Sequence, residues 1–318
     1  MAENPQFETL TQSLSPTLQS LEQKRKELKK QGQSTGIWVG GVVFVIVSAF
    51  SVYINAALIG VGIAAGLALL AYYSCVNAKS QELSSYYKQK VIAQVLQSFC
   101  DNAIFTPEEG IKEGIFRSCG LFTSPDRYHT EDLIQGRVGK TDFSCAEVHA
   151  EERKTRVNSK GQTSHYWVDI FKGFLFIADF QKDFQGHTTV LRNSLFKLSF
   201  SGSRVKLENP DFEKTFDVYS TDQIEARYLL SPSMMERLLA LDREFNKNIT
   251  ISFKDSNILI AIPESRNHFE ASIWKSIDDL SQLKNDFSMI HALVSIIEDL
   301  NLNTRIWTKK IKSRVNRT

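Results

Sequence analysis

The stretch QGRVGKT at residues 135–141 ends as a phosphate-binding loop does, with Gly139, Lys140 and Thr141 in a row. The full pattern needs a glycine at the position of Ile134, and a helix afterwards. TDFSCAEV follows instead and alternates like a strand, so a hairpin turn accounts for Gly136 and Gly139. The six histidines (His129, His149, His165, His187, His268 and His291) are scattered, with no H-E-x-x-H and no paired Cys-x-x-Cys, so no metal site is readable from spacing. Carboxylates such as Asp132, Glu147 and Asp179 would do acid–base work only if the fold paired them. The letters of a serine-hydrolase elbow, G-x-S-x-G, fall on GQSTG at 32–36, where the basic segment meets the apolar run and no strand precedes, so no elbow is read there. No catalytic residue, cofactor or metal ligand is therefore assigned, and an enzyme is the lesser expectation.

Charge excludes some partners. The net charge of +2 on 318 residues supplies no global field for nucleic acid, and the positive charge is local. Cys75, Cys100, Cys119 and Cys145 show no disulfide spacing and read as reduced thiols. The start, MAENPQFETL, lacks the basic region of a cleaved signal peptide.

The elements that would hold any site begin with an anchor. No charged residue occurs from Gln31 to Ala78, and Ile37 to Val76 is almost wholly apolar or small. About forty residues cross a hydrocarbon core of about 30 Å twice, at about 1.5 Å per helical residue. Spans are expected at about 36–53 and 57–76, with Ser51 and Asn55 at the turn. Basic residues flank the run, Lys24, Arg25, Lys26, Lys29 and Lys30 before it and Lys79, Lys88 and Lys90 after it, so both termini are expected in the cytoplasm. Gly36 with Gly40, and Gly62 with Gly66, lie four apart and read as close-packing faces, within one hairpin or between two copies in a homo-oligomer. GVGIAAG is one residue too long for a dinucleotide fingerprint. No ionisable residue marks a transport path inside either span.

Around the anchor, residues 1–35 read as a basic helical segment whose helix starts near Pro16, and 78–103 as a helical stalk carrying Leu83, Tyr87, Val91, Val95 and Phe99 at four-residue intervals. From 104 to 275 the pattern is α+β. FKLSF and RVKLE flank an SGS turn, and NITISF and ILIAI flank KDSN, as antiparallel hairpins. IFKGFLFIADF at 170–180 is too short for a span and reads as a central strand. Asp222 and Ser231 are expected to cap helices, the latter with Pro232 at the first helical position. Residues 276–303 carry one apolar stripe, from Leu280 to Ile297, expected to lie on the sheet. In the tail, 304–318, Trp307, Lys309, Lys310, Lys312 and Arg314 suit contact with anionic lipid. Asn248-Ile249-Thr250 matches a glycosylation acceptor, which a cytoplasmic domain never presents to that machinery.

The ordered blocks FRSCGLF, DRYHTEDLIQGRVGKTDFSCAEVHAEE, IFKGFLFIADFQKDFQGHTTV, FEKTFDVYSTDQIEARYLLSPSMMERL and ISFKDSNILIAI resemble the bacterial domain of unknown function 3137 family over roughly residues 85–275. The resemblance implies a bacterial inner-membrane protein of uncharacterised role, with a LemA-type membrane protein as a partner. Asp132, Gly136, Glu147, Gly173, Phe176, Asp179 and Phe180 fit the family's pattern, to which no catalytic role attaches. The reading as a whole is a membrane-anchored cytoplasmic binding or scaffold domain, with a membrane-bound hydrolase-like enzyme as the alternative.

Overall fold

The computed structural model describes residues 5–54, 57–100, 102–180, 184–192 and 202–302, and the chain divides into two compact units. The first comprises Met1–Val95 and His268–Ser288. Its first helix, α1, is Pro5–Tyr53, 49 residues long, so the basic segment and the first apolar stretch form one rod. Pro16 lies inside that helix, eleven residues after its start, where the sequence placed it near the beginning.

α2, Ala57–Tyr87, returns antiparallel to α1. Close approach fixes the register: a Cβ on Gly36 would meet the Tyr72 ring at 2.8 Å, and one on Gly40 would meet the Ala68 carbonyl oxygen at 2.9 Å. Helices without polar side chains between them pack well only where backbones come this near. Beyond Tyr87 the helix widens into a π turn, Lys88–Ile92, in which Ala93 N–H donates to the Lys88 carbonyl five residues back, before α3, Ala93–Gln97. Five side chains spaced four apart drift about 40° per step on an ordinary α-helix. The wider turn takes up part of that drift, and Leu83, Tyr87, Val91 and Val95 are all buried.

Residues 268–288 are tied to these helices by buried polar groups. Arg25 pairs with Glu22 at 2.7 Å and donates to the Ile273 carbonyl at 2.9 Å, while Ile277 N–H donates to Glu22 at 2.9 Å. Tyr87 donates to the buried Asp286 carboxylate at 2.8 Å.

The second unit, Leu96–Asn267 with Met289–Thr318, is built on an antiparallel sheet of nine strands among the described residues, ordered β1-β2-β3-β4-β9-β8-β5-β7-β6. The strands are β1 Ile104–Thr106, β2 Arg127–Val138, β3 Thr141–Val157, β4 Thr163–Asp179, β5 Thr188–Arg192, β6 Ser203–Val205, β7 Phe216–Ser220, β8 Thr250–Lys254 and β9 Asn257–Pro263. Turn chemistry sets several registers. Asp255 and Ser256, with φ of 51° and 61°, close β8 to β9, and Gly139 at φ 60° helps close β2 to β3. Gly136, expected in that turn, instead lies within β2 opposite Phe143. FKLSF falls outside the described residues, and β6 pairs with β7.

Short helices fill the connections: α4 Glu113–Ser118, α5 Pro210–Thr215, α6 Gln223–Leu229 and α7 Pro232–Phe245. Asp222 accepts from the backbone of Ile224 and Glu225, and Ser231 from Met234, as their caps. α8, Ser281–Asp299, belongs to both units: its first turns, with Phe287 against Phe7, lie in the first, and its later turns in the second. There Arg237 of α7 donates to the Asp299 carbonyl at 2.7 Å and His291 stacks edgewise on Phe99. One sheet face is covered by Phe116, Leu121 and Leu133 over Ala146, Val148, Ala150, Phe171 and Leu175.

Candidate functional site

Strands β3 and β4, seventeen residues each, pair from Phe143 with Ala178 to Val157 with Thr163, and their opposite face changes character along its length. At one end Phe143, Cys145, Phe174 and Phe176 are buried. Further along, the same face carries Glu147, His149 and Glu151 on β3, since side chains two apart share a face. His129 and Glu131 of β2 lie directly opposite His149 and Glu147.

A bulge completes this group. His149 is paired with Lys172, and without irregularity Asp169, three residues away, would point to the other side. Register shifts between Ala150 and Glu151: Ala150 opposes Phe171, but Glu151 opposes Asp169, leaving Ile170 as the extra residue. The extra residue reverses the alternation and turns Asp169 onto the face of His149. The result is a His149 Nε2 to Asp169 Oδ1 distance of 2.8 Å, and one ligand atom each from His149, Glu151 and Asp169 lies within 4.8 Å of the others.

Beside it is a cleft of about 110 Å³, lined by His129, Glu131, Glu147, His149, Lys172 and Glu264 among others. Gly173 is among the residues that line it. Its φ is 150°, and a Cβ there would lie 2.1 Å from the Ile262 carbonyl oxygen, so only glycine lets β4 and β9 cross here. Lys247 pairs with Glu264 at the rim. The cleft has room for an ion or a few waters; organic ligands usually occupy about 300–1,000 Å³.

Past this cleft the two strands run on as an arm. Pairing to β2 ends at Arg127 with Glu151, and pairing to β9 ends at Gly173 with Pro263. Both faces of the arm are exposed, Val157 at 62% and Tyr166 at 48%, and it carries Arg153, Lys154, Arg156 and Lys160. The Arg127 guanidinium lies 3.5 Å over the Trp167 ring at its root.

Glu147 and Gly173 thus line one cleft, whereas Asp132, Gly136 and Asp179 lie elsewhere. Asp132 sits at φ 59° in the bulge of β2, its N–H bonded to the Pro107 carbonyl at 3.0 Å, and Asp179 ends β4 opposite Asn257. Ser51 lies inside α1, buried against Gly60, with its hydroxyl donating to the Ser48 carbonyl at 2.7 Å; Asn55 is outside the described residues. Gly62 and Gly66 face open space, while Gly32 and Gly60, not singled out from sequence, join Gly36 and Gly40 in the helix contact. Trp307, Lys309, Lys310, Lys312 and Arg314 lie outside the described residues. His149, Glu151 and Asp169 escaped sequence reading because only the bulge unites them.

Other reactive groups are quiet. His187 Nε2 is 3.0 Å from the Ser252 hydroxyl, but Ser252 is fully buried, and burial lowers the histidine's pKa and favours the neutral ring. Burial pushes the Cys119 thiol up to about 11, so it is a poor nucleophile. In the helical unit a groove of about 890 Å³ lies among Phe7, Leu18, Leu280 and Phe287 and gathers no histidine.

The family model described as protein of unknown function (DUF3137) matches residues 169–302, the family that the sequence resembles. The match starts and ends later than the resembling blocks: it takes in β4 from Asp169 onward and α8, and leaves β2 and β3 outside. Gly173 and Asp179 fall within it; Asp132, Gly136 and Glu147 do not. No curated protein matches the chain. The crystal structure of the mycobacterial trehalose monomycolate transport factor A, TtfA, is similar over 65% of this chain and 95% of that chain, with 10% identity and a TM-score of 0.33, a level that carries no argument.

Proposed function

We propose that the chain is a membrane-anchored binding protein of the bacterial inner membrane, with α1 and α2 crossing the bilayer as a hairpin and both termini in the cytoplasm. The observation that carries the anchor is the outer surface of the helix pair. Trp38 is 75% exposed and Leu70 67%, in a stretch with no charge from Gln31 to Ala78. An apolar surface of that extent is unsuited to water and suited to lipid. Trp38, Tyr72 and Tyr73 near one end and Tyr53 near the other have the placement of interfacial aromatics. Basic flanks on both sides favour the cytoplasmic orientation.

For the sheet unit, the arm of β3 and β4 is the recognition surface. A two-stranded ribbon exposed on both faces is marginal alone in water, and its outer edges, beyond Arg153 and before Lys172, carry no paired strand among the described residues. Its basic residues favour an acidic, extended segment of a protein partner, added as a further strand. A LemA-type membrane protein is the first partner to test. The hydrolase alternative has the His149–Asp169 pair in its favour, but the adjoining cleft is too small for most organic substrates.

Carbonate-washed membranes and reporter fusions test the anchor: the chain is expected in the pellet, with fusions after Thr318 reporting cytoplasm. Recovery in the supernatant would overturn it. Crosslinking in native membranes tests the arm, where a partner captured by the wild type should be lost with Val157→Asp and Tyr166→Asp together. A partner retained by that variant would place recognition elsewhere.

A further inference from the structure

We propose that His149, Glu151 and Asp169, completed by His129, bind one divalent transition metal of the zinc class at the root of the arm. The inference goes beyond the binding reading and does not depend on what the arm recognises.

Three observations converge. The three ligand atoms already lie within 4.8 Å of one another, and a tetrahedral ion with bonds of about 2.0–2.1 Å, which spaces its ligands about 3.3 Å apart, would ask the widest contact to close by up to about 1.5 Å. Closing on an ion asks the His149–Asp169 contact to open by only a few tenths of an ångström from its 2.8 Å. Secondly, His129 stands directly opposite His149 on the neighbouring strand, and its exposed ring, now 3.7 Å from Glu131, would turn from that carboxylate to reach the same ion. Thirdly, the half-buried Glu151 carboxylate makes no hydrogen bond or ion pair among the described residues, although it sits opposite Arg127, whose guanidinium is stacked on Trp167.

The bulge gives the arrangement a structural cause. A regular ladder would place Asp169 on the far side of the sheet; the inserted Ile170 is what aims it at His149. Imidazole nitrogens select zinc-like ions over calcium or magnesium, and the partial exposure of the group supplies the entry path. A bound ion would tie β2, β3 and β4 together where the arm leaves the sheet.

The test is titration of the full chain, purified in detergent without a histidine tag, with zinc chloride, followed by calorimetry. One ion per chain is expected, with calcium producing no comparable heat. His149→Ala and Asp169→Asn should each weaken binding by more than the roughly 10–100-fold typical of outer-shell losses. His129→Ala should weaken it less, and Asp142→Asn, whose carboxylate is held by Arg137 at 2.5 Å elsewhere on the sheet, should leave it unchanged. Cobalt substitution gives a second readout, visible absorption bands in the wild type that vanish in His149→Ala. Trypsin cleavage in the arm, at Arg153, Lys154 and Arg156, should slow with zinc in the wild type alone. Failure of the wild type to bind zinc saturably overturns the proposal, as does binding that survives both His149→Ala and Asp169→Asn. A partner retained by the Val157→Asp and Tyr166→Asp variant, with zinc binding intact in the wild type, would count against the recognition reading only.

Discussion

The helix pair and the sheet both carry many large apolar side chains, and they treat them oppositely. Phe174, Phe176 and Phe253 are fully buried in the sheet unit, while Ile37, Trp38, Ile59 and Leu70 lie more than half exposed on α1 and α2. In the helix pair the positions that face the partner helix are the small ones, Gly32, Gly36, Gly40 and Gly60. One region is organised by excluding water from large side chains, the other by backbone contact with large side chains turned outward. The difference is the one that two different solvents would impose, water around the sheet and, on the reading proposed above, lipid around the helix pair.

The comparison can be sharpened by substitution. The largest effect is expected in the sheet: Phe176→Ala should cost about 3–5 kcal/mol in chemical denaturation, because the ring is fully buried beside Phe143. Leu70→Lys should cost about 2.5–3.5 kcal/mol in membrane insertion if its surroundings are lipid. Unchanged insertion, with a more soluble chain, would break the comparison.

Acid should act on the helical unit through Glu22. The Arg25 guanidinium and the Ile277 N–H, working against burial, hold its carboxyl down at about 2, below its ordinary 4.5. A lowered folded-state value means that its stabilisation is complete above pH 4.5 and is lost as pH falls from there through about 2. Glu22→Gln should flatten the stability slope across that window, read by thermal melts at stepped pH.

Gly36→Leu should cost about 1–3 kcal/mol by forcing α1 from Tyr72, whereas Gly62→Leu, facing open space, should change little. Cysteine crosslinking between α1 and α2 separates the two outcomes. The smallest effect on folding is expected in the arm, where Tyr166→Ala should stay within about 0.5 kcal/mol.

How far the sequence was legible follows the range of the interactions. The two long apolar helices, the central strand at 170–179, the Asp222 and Ser231 caps and the turn at Asp255 and Ser256 are set by neighbours a few residues apart, and each is visible in the chain. Pro16 misled because a helix tolerates a proline where surrounding propensity and packing carry it. Gly62 and Gly66 have the same spacing as Gly36 and Gly40, and only the register of α1 on α2 distinguishes them. The candidate site was least legible, since Asp169 shares a face with His149 through a single inserted residue, which no local pattern announces.

The π turn at Lys88–Ile92 holds one residue more than ordinary winding would need to bring Val95 under Leu83 and Tyr87. Removing one of its five residues would restore ordinary winding and leave Val95 eleven positions after Leu83, about 20° from it around the axis, so the stripe would survive. A single erased letter at the exposed Gln89 or Lys90 should therefore be absorbed there, where the same loss elsewhere along the rod would rotate everything beyond it.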